Sequence, residues 1–193
     1  MTPHGALVVG GLLAAGVVLA ACSGSGTDRP APLPARVADG AETVCGVMAE
    51  SIVLVTGAEL GPVEGDLSAE NGVGTRACTV HHSEDDGGGD LFVVRVFPAD
   101  SDEGRLERRS VDGEVGEPPT ARLDGFDGAM WGADTPREHP AQAFATVFLG
   151  DTVARVFVSS VEPRRSGQDD LEALVRQLVD SGSVPDGVDV AAG

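Results

Sequence analysis

The side chains best suited to hold a metal ion lie close together at His81, His82, Glu84, Asp85, Asp86 and Asp90. Imidazole and carboxylate are ordinary ligands for zinc, and clustered carboxylates suit calcium. Their order argues against one shared ion. Neighbouring residues on a strand point to opposite faces, and the stretch offers neither His-x-His nor His-x-x-x-His. The Asp85–Asp90 run has glycines for tight bending but lacks the residue order of an EF-hand loop. His81, His82, Asp86 and Asp90 therefore stand as metal candidates beside the plainer meaning, a solvated hairpin turn. Gly87 to Gly89 is no phosphate cradle, because Asp85, Asp86 and Asp90 would repel the phosphate.

Other chemistry is sparser. No Gly-x-Ser-x-Gly elbow is present. His139 precedes Pro140 in a loop, where a surface role fits better than catalysis. Glu114, Glu117, Asp124 and Asp127 accompany Trp131, a combination found in sugar-binding and glycosidase sites, although loop carboxylates are more often simply solvated. Trp131, Met130 and Asp127, with the loop Ser110 to Phe126, mark the expected contact surface. No cofactor motif is present, and the expected activity is binding rather than catalysis.

The elements that must position these residues can be read from periodicity. Val44, Met48, Ile52 and Val55 have helical spacing within Glu42 to Thr56, and Thr56-Gly57 offers a stop. Gly61 to Gly74 reads as a glycine-rich loop. Thr75 to His82 alternates, with Arg76, Cys78, Val80 and His82 on one face. Leu91 to Phe97 is a strongly apolar strand, and Asp100 to Arg109 a short charged helix capped by Asp100 or Ser101. A short strand spans Gly128 to Gly132. Ala143 to Leu149 and Thr152 to Ser160 flank Gly150-Asp151, a glycine-first connection suited to a type II′ hairpin. Leu171, Leu174, Val175, Leu178 and Val179 form the stripe of a last helix, opened by Asp169 and Asp170 and closed by Ser181-Gly182. This order predicts an α+β fold: a single antiparallel sheet with helices packed mainly on one face.

The amino-terminal stretch has a different character. Gly5 to Cys22 is an apolar run ending Leu19-Ala20-Ala21-Cys22. It resembles the signal peptide and lipobox of a bacterial lipoprotein; the alternative is a short, uncleaved membrane anchor. The resemblance implies cleavage between Ala21 and Cys22 and a diacylglyceryl group on the Cys22 thiol. Two acyl chains anchor stably where one binds reversibly. The implied location is the cell membrane, on its extracytoplasmic face. Residues 1–21 would then be the signal peptide, 22–40 the lipidated cysteine and a Pro-rich disordered tether, 41–183 the folded domain, and 184–193 a flexible tail. With Cys22 lipidated and the compartment oxidising, Cys45 and Cys78 remain as an even pair and are expected to form a disulfide. A redox-active or metal-binding pair is the alternative, though no Cys-x-x-Cys spacing supports it.

Composition narrows the partners. The net charge is −18, and all 13 Lys-plus-Arg positions are arginine. Such a surface repels phosphate backbones, so nucleic acid is not an expected partner. The bias toward Gly, Ala, Val, Asp and Arg suits a high-GC genome, of an actinobacterium or alternatively a haloarchaeon. One further resemblance emerges from order. A cysteine at the first helix, a Gly-rich helix end, the Ala-Cys-Thr-Val strand, the Gly-Phe-Asp-Gly-Ala-Met-Trp segment, a hairpin and a Leu-rich closing helix follow one another. The chain from Val44 to Val179 resembles the actinobacterial lipoproteins of domain of unknown function 3558, and loosely the PsbP-like sandwiches. The likeness implies no catalytic residues. The leading expectation is a lipid-anchored envelope domain that binds a ligand or partner protein. Its alternatives are an envelope hydrolase or metal-dependent enzyme using His81 and His82, and a structural subunit of a membrane complex.

Overall fold

The computed structural model describes residues 30–68, 74–83, 89–132 and 141–184. The leader, Ala21, Cys22, Glu84, Asp85, Asp86, His139 and the residues after Val184 lie outside that set. In chain order the elements are β1 (Thr43–Val44), β2 (Val47–Met48), α1 (Ala49–Thr56), β3 (Leu60–Asp66), β4 (Arg76–His82) and β5 (Asp90–Pro98). Then follow α2 (Asp102–Val111), β6 (Ala121–Arg122), β7 (Asp127–Gly132), β8 (Ala141–Leu149), β9 (Thr152–Val161) and α3 (Gly167–Asp180). Seven strands form one antiparallel sheet in the order β3-β4-β5-β9-β8-β7-β6. The fold is α+β.

Alternation gives the sheet two apolar faces. Val80, Phe92, Val94, Val156, Val158, Ala145 and Val147 point to the main core, which α1 and α3 cover with Ile52, Val55, Leu171, Leu174 and Leu178. On the other face Phe97, Ala129, Trp131, Phe148 and Val153 gather beneath Val111 of α2. The helices are thus split between the faces. α1 and α3 share the main-core face, as expected, and α2 finds a place on the other because the strand residues beneath it are apolar too.

Two local signals hold closely. Leu149 pairs with Thr152 across Gly150-Asp151, and Gly150 takes φ 60°, the left-handed backbone that the first position of a type II′ turn requires. α3 is capped by the Ser166 hydroxyl, which accepts from the Asp169 amide, and ends at Ser181. α2 likewise starts at Ser101, whose hydroxyl accepts from the Gly104 amide at 3.0 Å.

Three boundaries differ from expectation. The first helix begins at Ala49, and residues 43–48 instead form a miniature hairpin in which Val44 pairs with Val47. Cys45 and Gly46 turn it with φ 51° and 79°, two consecutive left-handed residues, as a type I′ turn demands. β3 replaces the first part of the glycine-rich loop expected over 61–74. It is an edge strand, where Pro62 leaves no ladder donor unpaired. There a Cβ on Gly65 would lie 2.2 Å from the Ala77 carbonyl oxygen, so glycine lets β3 close on β4.

The third difference is the expected tether, whose described part packs on the domain. Leu33 is buried in the main core. Arg165 donates to the Ala31 carbonyl at 3.1 Å, and Gln177 to the Pro34 carbonyl at 2.7 Å. The Val37 amide donates to Asp180 at 3.2 Å. Residues 31–38 form a strap running along α3 from its start to its end. Val184 is buried as well, so the domain extends past the expected boundary at both ends.

Candidate functional site

The expected contact surface at Trp131 is largely internal. Trp131 and Met130 are neighbours on β7 and point to opposite faces, both buried. The Trp131 indole donates to the Glu117 carbonyl at 2.9 Å, and its ring stacks on Phe144 with centroids 4.8 Å apart. Asp127 accepts two hydrogen bonds from Arg108, each 2.8 Å, which hold its carboxyl below the usual carboxylate range against partial desolvation. These residues fasten α2 and the loop before β6 to the sheet. Trp131 and Met130 are held inside, whereas the Asp127 side chain stays exposed beside Arg108.

The two histidines also part company. His81 lies 3.3 Å from Asp90 through Nδ1 and 3.5 Å from Glu64 through Nε2. His82 meets the Ser159 hydroxyl at 3.2 Å through Nε2. The backbone register shifts between Val80 and His81, which separates their surroundings further. Among the described residues, no group of three His, Cys, Asp or Glu side chains is placed to hold a metal ion.

What the fold does build is a cleft beside the disulfide. Cys45 and Cys78 are bonded, with Cα atoms 5.4 Å apart, tying the β1–β2 turn to the centre of β4. Around this crosslink opens a cleft of about 450 Å³, walled by the β1–β2 turn, the end of β3, the start of β4 and Gly182-Ser183 after α3. That volume lies within the usual range for small-molecule sites. Val44, Val63, Leu67 and the disulfide form the apolar part of its lining. Thr43, Ser68 and Ser183 add hydroxyls.

Two charges of opposite sign complete it. Arg76 donates from Nη1 to the Leu67 carbonyl at 2.9 Å, which fixes its guanidinium at the wall. Asp66 accepts from the Ser68 hydroxyl at 2.6 Å and amide at 2.8 Å, and these bonds hold its carboxyl below the ordinary range. The Asp66 side chain is thus an anion at neutral pH. Neither thiol is free for nucleophilic attack, and the lining contains no histidine. The arrangement suits a small molecule with an apolar body and a polar or zwitterionic head. The sequence carried a faint trace of this site: Cys45-Gly46 and Gly65 mark chain that bends tightly or approaches closely. No family model and no curated protein matches this chain.

Proposed function

We propose that this is a lipid-anchored domain of the cell envelope, resembling the uncharacterised actinobacterial lipoproteins, that captures a small ligand without transforming it. The observation that carries the binding role is the disulfide-framed cleft, whose lining is about as polar as it is apolar and holds one charge of each sign. A crosslinked wall costs less ordering on binding than a loose one, which favours affinity at modest contact area. The anchoring part of the reading rests on Leu19-Ala20-Ala21-Cys22. It places Cys22 under two acyl chains and the domain outside the cytoplasm.

Native beside denaturing mass spectrometry on the exported chain tests the binding role. A defined extra mass in the native spectrum is expected, and its value gives the ligand class. Val63→Trp, at an exposed position on the cleft wall, should abolish that mass while leaving the fold intact. A bare native mass, or an adduct indifferent to Val63→Trp, would remove the cleft from consideration and turn attention to a protein partner.

A further inference from the structure

The strap sets the end of the domain from which a lipid-bearing tether would leave. The inference rests on the anchoring reading above and concerns orientation. Nine residue steps separate Cys22 from Ala31, the first residue with a described bond to the domain body. In any conformation that length spans at most about 32 Å. Ala31 is held by Arg165, in the turn between β9 and α3, where the Arg165 amide donates to the Glu162 carbonyl at 3.0 Å. The Glu162 amide in turn donates to the Val55 carbonyl near the end of α1 at 2.8 Å. One corner therefore gathers the strap's exit, the β9–α3 turn and the last turn of α1.

That corner carries an apolar surface. Val53 and Leu54 of α1 are 38% and 45% exposed and adjacent, among the few large apolar side chains that face outward in the described residues. Glu50 and Glu59 are exposed nearby in the chain, and Arg164 is paired with Glu162. With acids flanking it, the patch is poorly suited to an anionic partner and better suited to a neutral interface. We infer that the α1 face bearing Val53 and Leu54 rests on the bilayer surface, with the Cys22 lipid inserted beside it.

The opposite end then points away from the membrane. α3 runs back from this corner for 14 residues, roughly 21 Å, to Gly182 and Ser183 at the cleft. β9 spans the same direction for roughly 30 Å to the Gly150-Asp151 hairpin tip, the end at which Arg76 of the cleft pairs through Val96 with Ala154. The strap's exit and the cleft thus occupy opposite ends.

A fluorophore on a single added thiol tests this in the full lipidated chain, since Cys22 is acylated and Cys45 and Cys78 are bonded. Leu54→Cys and Asp151→Cys, labelled alike and reconstituted in phosphatidylcholine vesicles containing nitroxide-bearing lipid, report the two ends. The expected result is quenching several-fold stronger at position 54 than at 151, with a blue-shifted emission at 54 only. Val53→Asp placed beside the labelled Leu54→Cys should bring the two signals together while the protein still sediments with the vesicles. Sedimentation with equal quenching at both positions would overturn the orientation and leave the anchor standing. A chain with unmodified Cys22 that stays in solution would overturn both.

Discussion

Gln177 shows how one side chain can join distant parts of a fold. It is wholly buried in α3, accepts the Met48 amide at 3.0 Å, and donates to Ser51 at 3.0 Å and to the Pro34 carbonyl of the strap at 2.7 Å. Replacing it with leucine keeps the volume and leaves those three groups without a partner. Each unpaired buried group costs about 1–3 kcal/mol, partly recovered by local movement, so Gln177→Leu should lose about 3 kcal/mol. Urea unfolding measures this, and an unchanged midpoint would dismiss the joint. At this scale the sequence was misleading for identifiable reasons. Gln177 lies among apolar residues of a clear helical stripe and announces no partner. Val44, Met48, Ile52 and Val55 mimic a helix because a tight turn at Cys45-Gly46 brings Val44 and Val47 against the core that Ile52 and Val55 join. Trp131 looked like a contact residue because a lone tryptophan draws attention, yet stacking and an indole hydrogen bond serve burial equally well.

Among the elements, α2 is the unusual one. It is mostly charged, and what fastens it is a set of ion pairs over an apolar sheet face. Glu103 meets Arg95 at 2.8 Å, Glu107 meets Arg155 at 2.8 Å, and Arg108 meets Asp127. These pairs are not equal. Glu107 is buried and also accepts from the Thr146 hydroxyl at 2.9 Å, whereas the Glu103–Arg95 pair is substantially solvated. Glu107→Ala should therefore cost about 2–3 kcal/mol by stranding partly buried partners, and Glu103→Ala about 0–1 kcal/mol. Equal losses in thermal or urea unfolding would contradict this ranking. Acid acts on the third pair. Folded Asp127 binds its proton at lower pH than the unfolded residue, whose value is about 3.9. Its contribution is complete above that ordinary value and is lost as pH falls through the depressed one. Stability measured against pH should fall less steeply in that acid range for Asp127→Asn than for the unaltered chain. The hairpin and α3 were legible because their signals are local: a glycine at a left-handed position, a capped apolar stripe. β3 was not, since Gly61, Pro62 and Gly65 argue for a loop, and only pairing with β4 makes that stretch a strand.

For the whole molecule, the disulfide is the largest single constraint. It closes a loop of sequence separation 33, for which the chain-entropy relation gives about 4 kcal/mol. Cys45→Ala with Cys78→Ala should lower stability by about that amount and relax the cleft wall, visible as weaker ligand retention in native spectra. Retention unchanged by the double substitution would mean the crosslink supports the fold alone. The proposed anchor has its own check: if Cys22 carries the lipid, Cys22→Ser should release the protein from the membrane fraction into the medium. A chain still held in the membrane would point to an uncleaved leader.

The strap has a consequence in time. It is among the first parts of the described chain to be made, and its partners Arg165 and Gln177 stand 134 and 143 residues later. A chain leaving the ribosome or a translocation pore amino terminus first must carry that segment unmatched until the last helix follows. Such distant pairings close slowly, because the intervening loop entropy is lost before any contact rewards it. Completion of this fold is therefore tied to the arrival of its final 20 or so residues. A ribosome stopping before Gly167 would leave the apolar face of β7 and β8, which α3 covers, bare. Quality control would meet an adhesive half-sheet, not a smaller version of the domain.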